Sequence, residues 1–145
     1  MKSIQTEIII NAPAEKVWTA LTTFTLYEEW NPLISVVMGK ASAGERLRVK
    51  VKLAGLPEIS FDATVSSCVF PLRLGWEAIF LKGVFEASHS FTIEKLDDRM
   101  SRFIHAEEFS GILSAPVLFL LKARFCEGYR LMNEALKALV ESTEE

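Results

Sequence analysis

Residues 86–141 carry the pattern that decides the fold, and they read EASHSFTIEKLDDRMSRFIHAEEFSGILSAPVLFLLKARFCEGYRLMNEALKALVE. Apolar and polar side chains alternate along residues 86–96 and 100–110, which predicts two β-strands joined by a polar three-residue loop at residues 97–99. Beyond Gly111 the apolar residues recur every three or four positions as far as Glu141. This spacing predicts one helix that Ser114 caps, that Ala115 and Pro116 open and that ends near Glu141, roughly 26 residues and about 39 Å long. Such a helix is long enough to cross a whole sheet.

The same two-residue alternation extends back to residue 34, with turns between the segments and no helical stretch. Its clearest segment is residues 46–53, RLRVKVKL, which places the apolar side chains on one face and the cations on the other. Further strands are predicted at residues 59–70 and 72–80. Upstream, residues 3–10 predict a first strand, and two short helices follow, one after Pro13 and one over residues 26–30. The predicted order is strand, two short helices, six strands and a long helix, an α+β chain.

Length and composition are those of one globular domain over residues 1–145. The 50% hydrophobic and 24% charged residues exclude a disordered tail, a coiled coil and a collagen. One feature is unusual: 10 Phe, 3 Trp and 4 Met accompany only 2 Tyr. These bulky side chains either fill a core or line a hollow.

The net charge and the cysteines limit the classes of partner and the cellular compartment that we expect for this protein. The formal net charge of −3 argues against a nucleic-acid partner. The longest apolar run, residues 116–121, is far shorter than the roughly 20 residues of a membrane span, so we expect no stable membrane insertion. Cys68 and Cys126 lack CxxC spacing and are expected to be reduced thiols, with Cys68 pointing outward if no bulge intervenes. We expect a cytoplasmic protein, either a monomer or a homodimer.

Several local segments carry a resemblance to a known superfamily over the whole chain. They are INAPAEKVW at residues 10–18, YEEWNP at 27–32, HSF at 89–91, HAEEFSG at 105–111 and MNEALK at 132–137. With the element order, they resemble the START-like or SRPBCC superfamily, which includes Bet v 1-type proteins, polyketide cyclases and lipid-transfer domains. The resemblance implies a helix-grip (Bet v 1-like) fold, in which a curved seven-stranded antiparallel sheet surrounds the long C-terminal helix. It also implies a cavity between sheet and helix for an apolar ligand, without naming that ligand.

The most informative polar residues are His89, His105 and Glu107. Side-chain alternation places all three on the inner face of the last two predicted strands, among aromatic residues. If residues 97–99 form the loop, His89 lies opposite Glu107 and Phe91 opposite His105, with Cβ atoms about 5 Å apart. A two-residue slip would instead place His89 opposite His105.

Three interpretations of this trio stay open. The first is a structural polar pair inside an apolar barrel, since a buried carboxylate needs a partner. The second is a ligand anchor that orients a hydroxyl or carbonyl group in an apolar pocket. The third is chemistry: either His and Glu act as acid–base catalysts in a cyclisation or dehydration, or the trio holds a metal. The spacing matches none of the strong metal motifs, and we expect neither a metal nor a cofactor.

The sequence thus predicts a protein that binds a small or medium hydrophobic molecule, such as a lipid, polyketide or aromatic compound. The alternatives are a cofactor-independent polyketide cyclase or dehydrase that uses His89, His105 and Glu107, and a module that binds a chaperone partner through an exposed apolar patch around a filled core. Whether the chain is an enzyme stays open. The predicted ligand-binding residues are Trp30, Val49, Val51, Phe61, Trp76, His89, Phe91, His105, Glu107, Phe109, Phe125, Tyr129 and Met132.

Overall fold

A computed structural model describes residues 2–142, which form one antiparallel sheet and three helices. The strands are β1 (Lys2–Ile10), β2 (Ile34–Met38), β3 (Arg46–Val51), β4 (Ile59–Val69), β5 (Arg73–Leu81), β6 (Phe85–Asp97) and β7 (Met100–Ser110). The helices are α1 (Ala14–Thr22), α2 (Tyr27–Trp30) and α3 (Ser114–Ser142), with a 3-10 turn (Phe24–Leu26) before α2. The sheet order is β1-β7-β6-β5-β4-β3-β2. This is the helix-grip architecture, a curled seven-stranded sheet around a long C-terminal helix.

The β6–β7 register is the predicted one, although the loop is not. His89 pairs with Glu107, and Phe91 with His105. The chain turns over two residues rather than three, because Asp97 pairs with Met100. A bulge between Lys95 and Asp97 supplies the residue that the shorter loop lacks, so the register beyond the bulge is unchanged.

A second bulge corrects the expected orientation of Cys68. The β4–β5 pairing shifts between Val65 and Ser67, so the alternation that would point Cys68 outward does not continue past this point. The Cys68 side chain is half-buried, and its Sγ lies 3.1 Å from the Ala41 carbonyl oxygen. The prediction of an outward thiol required a strand without a bulge, and this condition is not met.

The core occupies two unequal parts of the concave side of the sheet. Near α1, the buried side chains of Trp18, Leu21 and Phe24 pack with those of the middle strands and fill the space. Toward the first half of α3, the side chains lining the sheet are only partly covered, and a cavity remains. Among residues 2–142, no helix is both long and apolar enough to cross a membrane.

Candidate functional site

A cavity of about 370 Å³ lies between the sheet and the first half of α3. Its size falls within the range of small-molecule sites. The wall is almost entirely apolar and comes from strands β3 to β7, α3, the loop at residues 52–58 and Leu33 just before β2. Three polar side chains, those of His89, Glu107 and Tyr129, converge at one end. The cavity is thus an apolar pocket with a single polar end.

Gly128 explains how α3 approaches the cavity wall so closely. A Cβ atom at this position would lie 2.9 Å from Leu33 Cδ1 and 3.0 Å from Leu53 Cδ2, both shorter than normal contacts. Leu33 and Leu53 both line the cavity. Arg124, one turn earlier on α3, donates a hydrogen bond to the Ala54 carbonyl oxygen and ties the 52–58 loop to the helix. The mid-helix glycine therefore permits a close contact between α3 and this wall.

The polar end of the cavity continues into a buried hydrogen-bonded chain. His89 Nε2 lies 2.7 Å from His105 Nε2, and His105 Nδ1 lies 3.0 Å from Asn133 Oδ1. Asn133 Nδ2 in turn donates to Thr6 Oγ1 at 2.9 Å. On the cavity side, the Tyr129 hydroxyl donates to Glu107 Oε1. This series of hydrogen-bonded side chains therefore extends from the cavity, across β6 and β7, to β1.

The bond from Asn133 to Thr6 assigns the protons of this chain. Because the Asn133 amide donates to Thr6, its oxygen accepts from His105 Nδ1–H. His105 Nε2 then carries no proton and accepts from His89 Nε2–H. Burial lowers the pKa of His105 well below the usual histidine range, and the neighbouring His89 lowers it further. His105 is therefore held as a neutral ring, and it orients His89.

Two polar atoms at the cavity end are left facing each other. His89 Nδ1 lies 3.6 Å from Glu107 Oε2, too far for a hydrogen bond. Within residues 2–142, neither of these two atoms has a hydrogen-bond partner. Burial, with the negative charge of Glu107, raises the pKa of Tyr129 above its usual value, so this phenol stays a donor to Glu107 Oε1. The two atoms that face each other at the cavity end are therefore an imidazole nitrogen and a carboxyl oxygen, neither of them held by a hydrogen bond in the described residues.

The geometry of the trio is that of hydrogen-bond partners rather than metal ligands. The two Nε2 atoms face each other at 2.7 Å, while Glu107 approaches the opposite nitrogen of His89. No group of three His, Cys, Asp or Glu side chains in the described part of the chain is arranged to hold a metal ion.

The predicted site residues divide into two groups. Seven line the cavity: Val51, Phe61, His89, Glu107, Phe109, Phe125 and Tyr129. Six lie outside its lining: Trp30, Val49, Trp76, Phe91, His105 and Met132.

Five of the six residues outside the lining are buried, and the sixth, Trp30, is half-buried. Trp76, Phe91 and His105 belong to the half of the sheet that the helices fill, and each is at most 1% exposed. Trp76 contacts Phe24 of the 3-10 turn at a ring-centroid distance of 6.3 Å. Trp30 packs edge-on against Tyr27 at 5.3 Å instead of bordering the opening. Val49 and Met132 are completely buried.

Several lining residues were not among the predicted site residues. Ala87, Val117 and Leu121 follow the strand and helix periodicities, which therefore contained the signal for them. Leu56 and Pro57 belong to a loop without periodicity, and no sequence pattern indicated them. The full set of such residues is Leu33, Leu53, Leu56, Pro57, Ile59, Phe80, Phe85, Ala87, Val117 and Leu121.

Comparison with known proteins assigns the family. Residues 1–141 match the family described as polyketide cyclase/dehydrase and lipid transport. The chain belongs to this polyketide cyclase/dehydrase and lipid transport family. No curated protein matches the chain in sequence.

Solved structures show the same fold at low sequence identity. The Zhui aromatase/cyclase from Streptomyces sp. R1128 is 15% identical, with a TM-score of 0.77 over 97% of this chain and 93% of that one. Norcoclaurine synthase from Thalictrum flavum, solved with dopamine and hydroxybenzaldehyde, is 13% identical, with a TM-score of 0.75 over 99% and 88%. A START superfamily protein from Mycobacterium smegmatis is 18% identical, with a TM-score of 0.72 over 97% of both chains. These likenesses establish the fold of this family member.

The neutral His105 of this family member predicts a pH-dependent stability. The unfolded chain takes up a proton on this residue below a pKa of about 6.5, whereas the folded protein does not, so stability falls as the pH falls. We expect the free energy of unfolding to fall by about 1.4 kcal/mol between pH 7.5 and 5.5 on account of His105. Urea denaturation at both pH values measures this, and His105→Gln should remove that part of the pH dependence. The same pH dependence in both proteins would show that His105 titrates normally.

Proposed function

We propose that this protein binds a small or medium apolar molecule carrying a hydroxyl group, with the hydroxyl at the His89–Glu107 end of the cavity. The observation that carries the proposal is the pair of unpaired atoms, His89 Nδ1 and Glu107 Oε2, at the only polar end of an apolar wall. A polar atom that faces an apolar cavity without a hydrogen bond destabilises the protein, and a ligand that supplies the hydrogen bond removes this cost. A ligand hydroxyl would donate to one of these acceptors, while its apolar body contacts Phe61, Phe109 and Phe125.

Family membership and structural neighbours support the class of ligand. The family description names polyketide cyclase/dehydrase and lipid transport, and a lipid is a largely apolar ligand. The cavity wall favours an aromatic or aliphatic body, because it consists of Phe, Leu, Ile and Val side chains with one polar end.

A matched ligand pair tests the proposed anchor. We expect 2-naphthol to bind more tightly than naphthalene by about tenfold, because a hydrogen bond to a charged acceptor contributes about 1.5 kcal/mol or more. Competition against an apolar fluorescent probe measures both affinities. Glu107→Gln should reduce the preference for 2-naphthol over naphthalene, because the amide has one uncharged acceptor oxygen in place of the two charged oxygens of the carboxylate. Tyr129→Phe is the comparison, because it keeps the ring in the wall and frees Glu107 Oε1 as a further acceptor, so it should not lower the preference. Equal affinities for the two ligands in the native protein would contradict the anchor.

A second candidate function is acid–base catalysis of a cyclisation or dehydration. The specific observation in its favour is that His89 Nδ1 and Glu107 Oε2 lie 3.6 Å apart at the cavity end, so that one group could accept a proton from a bound ligand while the other, when protonated, donates one to it. Two of the structurally similar proteins, the aromatase/cyclase and norcoclaurine synthase, are enzymes according to their names. Glu107→Gln separates the candidates, because an enzyme would keep ligand binding and lose turnover of a poly-β-carbonyl substrate, whereas a carrier shows no turnover in either form.

The third candidate, a chaperone-partner module, predicts an exposed apolar patch around a filled core. The cavity of about 370 Å³ therefore favours ligand binding over this alternative.

A further inference from the structure

The first two turns of α3 expose apolar side chains on their outer face. Phe119 is 88% exposed and Leu120 is 73% exposed, and just before the helix Ile112 is 77% exposed. No charged residue occurs between Gly111 and Lys122. A surface helix ordinarily carries polar residues on the face that points away from the core. A contiguous exposed apolar surface instead marks a place where the protein contacts something else.

The β5–β6 turn extends this surface. Ile112 N donates to the Gly83 carbonyl oxygen at 3.3 Å, and Leu113 N donates to that of Val84 at 2.9 Å. These bonds hold the start of α3 beside the end of β5, where Leu81 is 62% exposed. We refer to these side chains as the apolar patch, which consists of Leu81, Ile112, Leu113, Pro116, Phe119 and Leu120.

Unpaired cations surround the apolar patch. Lys2 and Lys122 line a shallow groove together with Phe119 and Leu120, and Lys82 directly follows Leu81. Within residues 2–142, none of these three lysines forms an ion pair, whereas Arg48, Arg102 and Arg130 elsewhere on the surface do. The Glu86 carboxylate, near the start of β6, accepts a hydrogen bond from the backbone N–H of Gly83. Lys2, Lys82 and Lys122 thus flank the patch, on a chain whose net charge is −3.

The apolar patch adjoins the open side of the cavity. Val117 and Leu121 point inward from the same turns of α3 and line the cavity. Phe80, the neighbour of Leu81, lines the cavity and is 41% exposed, and Ile59 on β4 lines it and is 52% exposed. Apolar surface is thus continuous from the cavity wall to the outside of the molecule at this end.

We propose that the apolar patch docks on a bilayer with anionic headgroups. Exposed Phe and Leu side chains beside lysines are the combination that binds at a membrane interface, where the apolar groups enter the acyl boundary and the cations meet the headgroups. Docking in this orientation presents the open side of the cavity to the lipid surface. The proposal goes beyond ligand binding and stands on the patch and its cations alone.

Vesicle co-sedimentation tests this docking. We expect the native protein to pellet with vesicles of equal parts phosphatidylcholine and phosphatidylglycerol, and to bind pure phosphatidylcholine vesicles about a hundredfold more weakly, because each of the three lysines strengthens binding to an anionic surface roughly fivefold. Phe119→Ser/Leu120→Ser should lower the binding to mixed vesicles by about tenfold or more, because two large apolar groups no longer enter the interface. Lys122→Glu should lower it as well, and added salt should weaken the binding of the native protein. Leu131→Ser is the matched control, since Leu131 is an exposed leucine of α3 outside the patch; its binding should be unchanged.

Three results would overturn the proposal. The native protein would fail to pellet with mixed vesicles, or it would bind pure phosphatidylcholine equally well, or Phe119→Ser/Leu120→Ser would bind like the native protein. Sedimentation velocity adds a fourth: a native dimer that this double variant converts to a monomer would assign the patch to a second copy of the chain. Probe binding without vesicles keeps the two proposals apart. We expect the double variant to bind an apolar probe normally, so a failure of docking and a failure of cavity binding give different results.

Discussion

Trp76→Ala should lower the free energy of unfolding by about 3–5 kcal/mol, the range for removing a large aromatic side chain from a packed core. The Trp76 side chain is 1% exposed. Its ring contacts Phe91 at a centroid distance of 5.5 Å and His89 at 5.6 Å. Few side chains are more deeply surrounded, so the space left behind cannot close without moving several aromatic rings. Urea denaturation measures the change as a lower midpoint at an unchanged slope.

Phe61→Ala is the matched comparison, because Phe61 is also an inner-face aromatic residue but lines the cavity and is only half-buried. We expect it to lose about half as much stability or less, since part of its surface already faces open space. A loss below about 1.5 kcal/mol for Trp76→Ala, with weakened ligand binding, would instead place Trp76 in the cavity wall.

The strand and helix patterns predict most of the fold because each follows from a local period. The alternation in residues 86–110 sets which side chains face inward, and it places His89 opposite Glu107 as the structure does. The predicted loop between β6 and β7 is one residue too long, and the bulge before Asp97 compensates for this, so the predicted pairing of His89 with Glu107 is still correct. A bulge is decided by strand curvature across the sheet, which no local period reports.

The candidate site was harder to predict because facing inward and lining a cavity are different properties. His89 and His105 have the same phase on neighbouring strands, yet only His89 borders the cavity, while His105 is fully buried behind it. The difference depends on where α1 and the two halves of α3 lie over the sheet. Helix placement is a tertiary property, so the sequence could name the inner face but not the empty part of it.

The partners of the histidines could not be predicted for a related reason. Asn133 lies on α3, and its contact with His105 requires the rotation of that helix against β7. The sequence places Tyr129 and Met132 among the predicted ligand-binding residues of the helix, but it does not indicate that the Tyr129 hydroxyl reaches Glu107. The periodicity of the sequence predicts which side of a helix or strand faces the core, whereas the packing of α3 against the sheet determines which atoms come into contact.

The central claim is that the space between sheet and α3 is a binding cavity, and Ala87→Phe tests it by filling that space. Ala87 lines the cavity from β6, between Ala78 and Phe109 on the neighbouring strands. A phenyl ring at this position would occupy the volume that a ligand needs. Ser88→Phe is the matched control, because it adds the same ring to the adjacent residue, which points to the other face of the sheet.

The measurement is a titration of each protein with the apolar fluorescent probe N-phenyl-1-naphthylamine, followed by urea denaturation to show that both variants fold. We expect saturable binding of one probe per native protein, an affinity lower by about tenfold or more in Ala87→Phe, and native affinity in Ser88→Phe. Native affinity in a folded Ala87→Phe protein, or no saturable binding by the native protein, would contradict the cavity assignment.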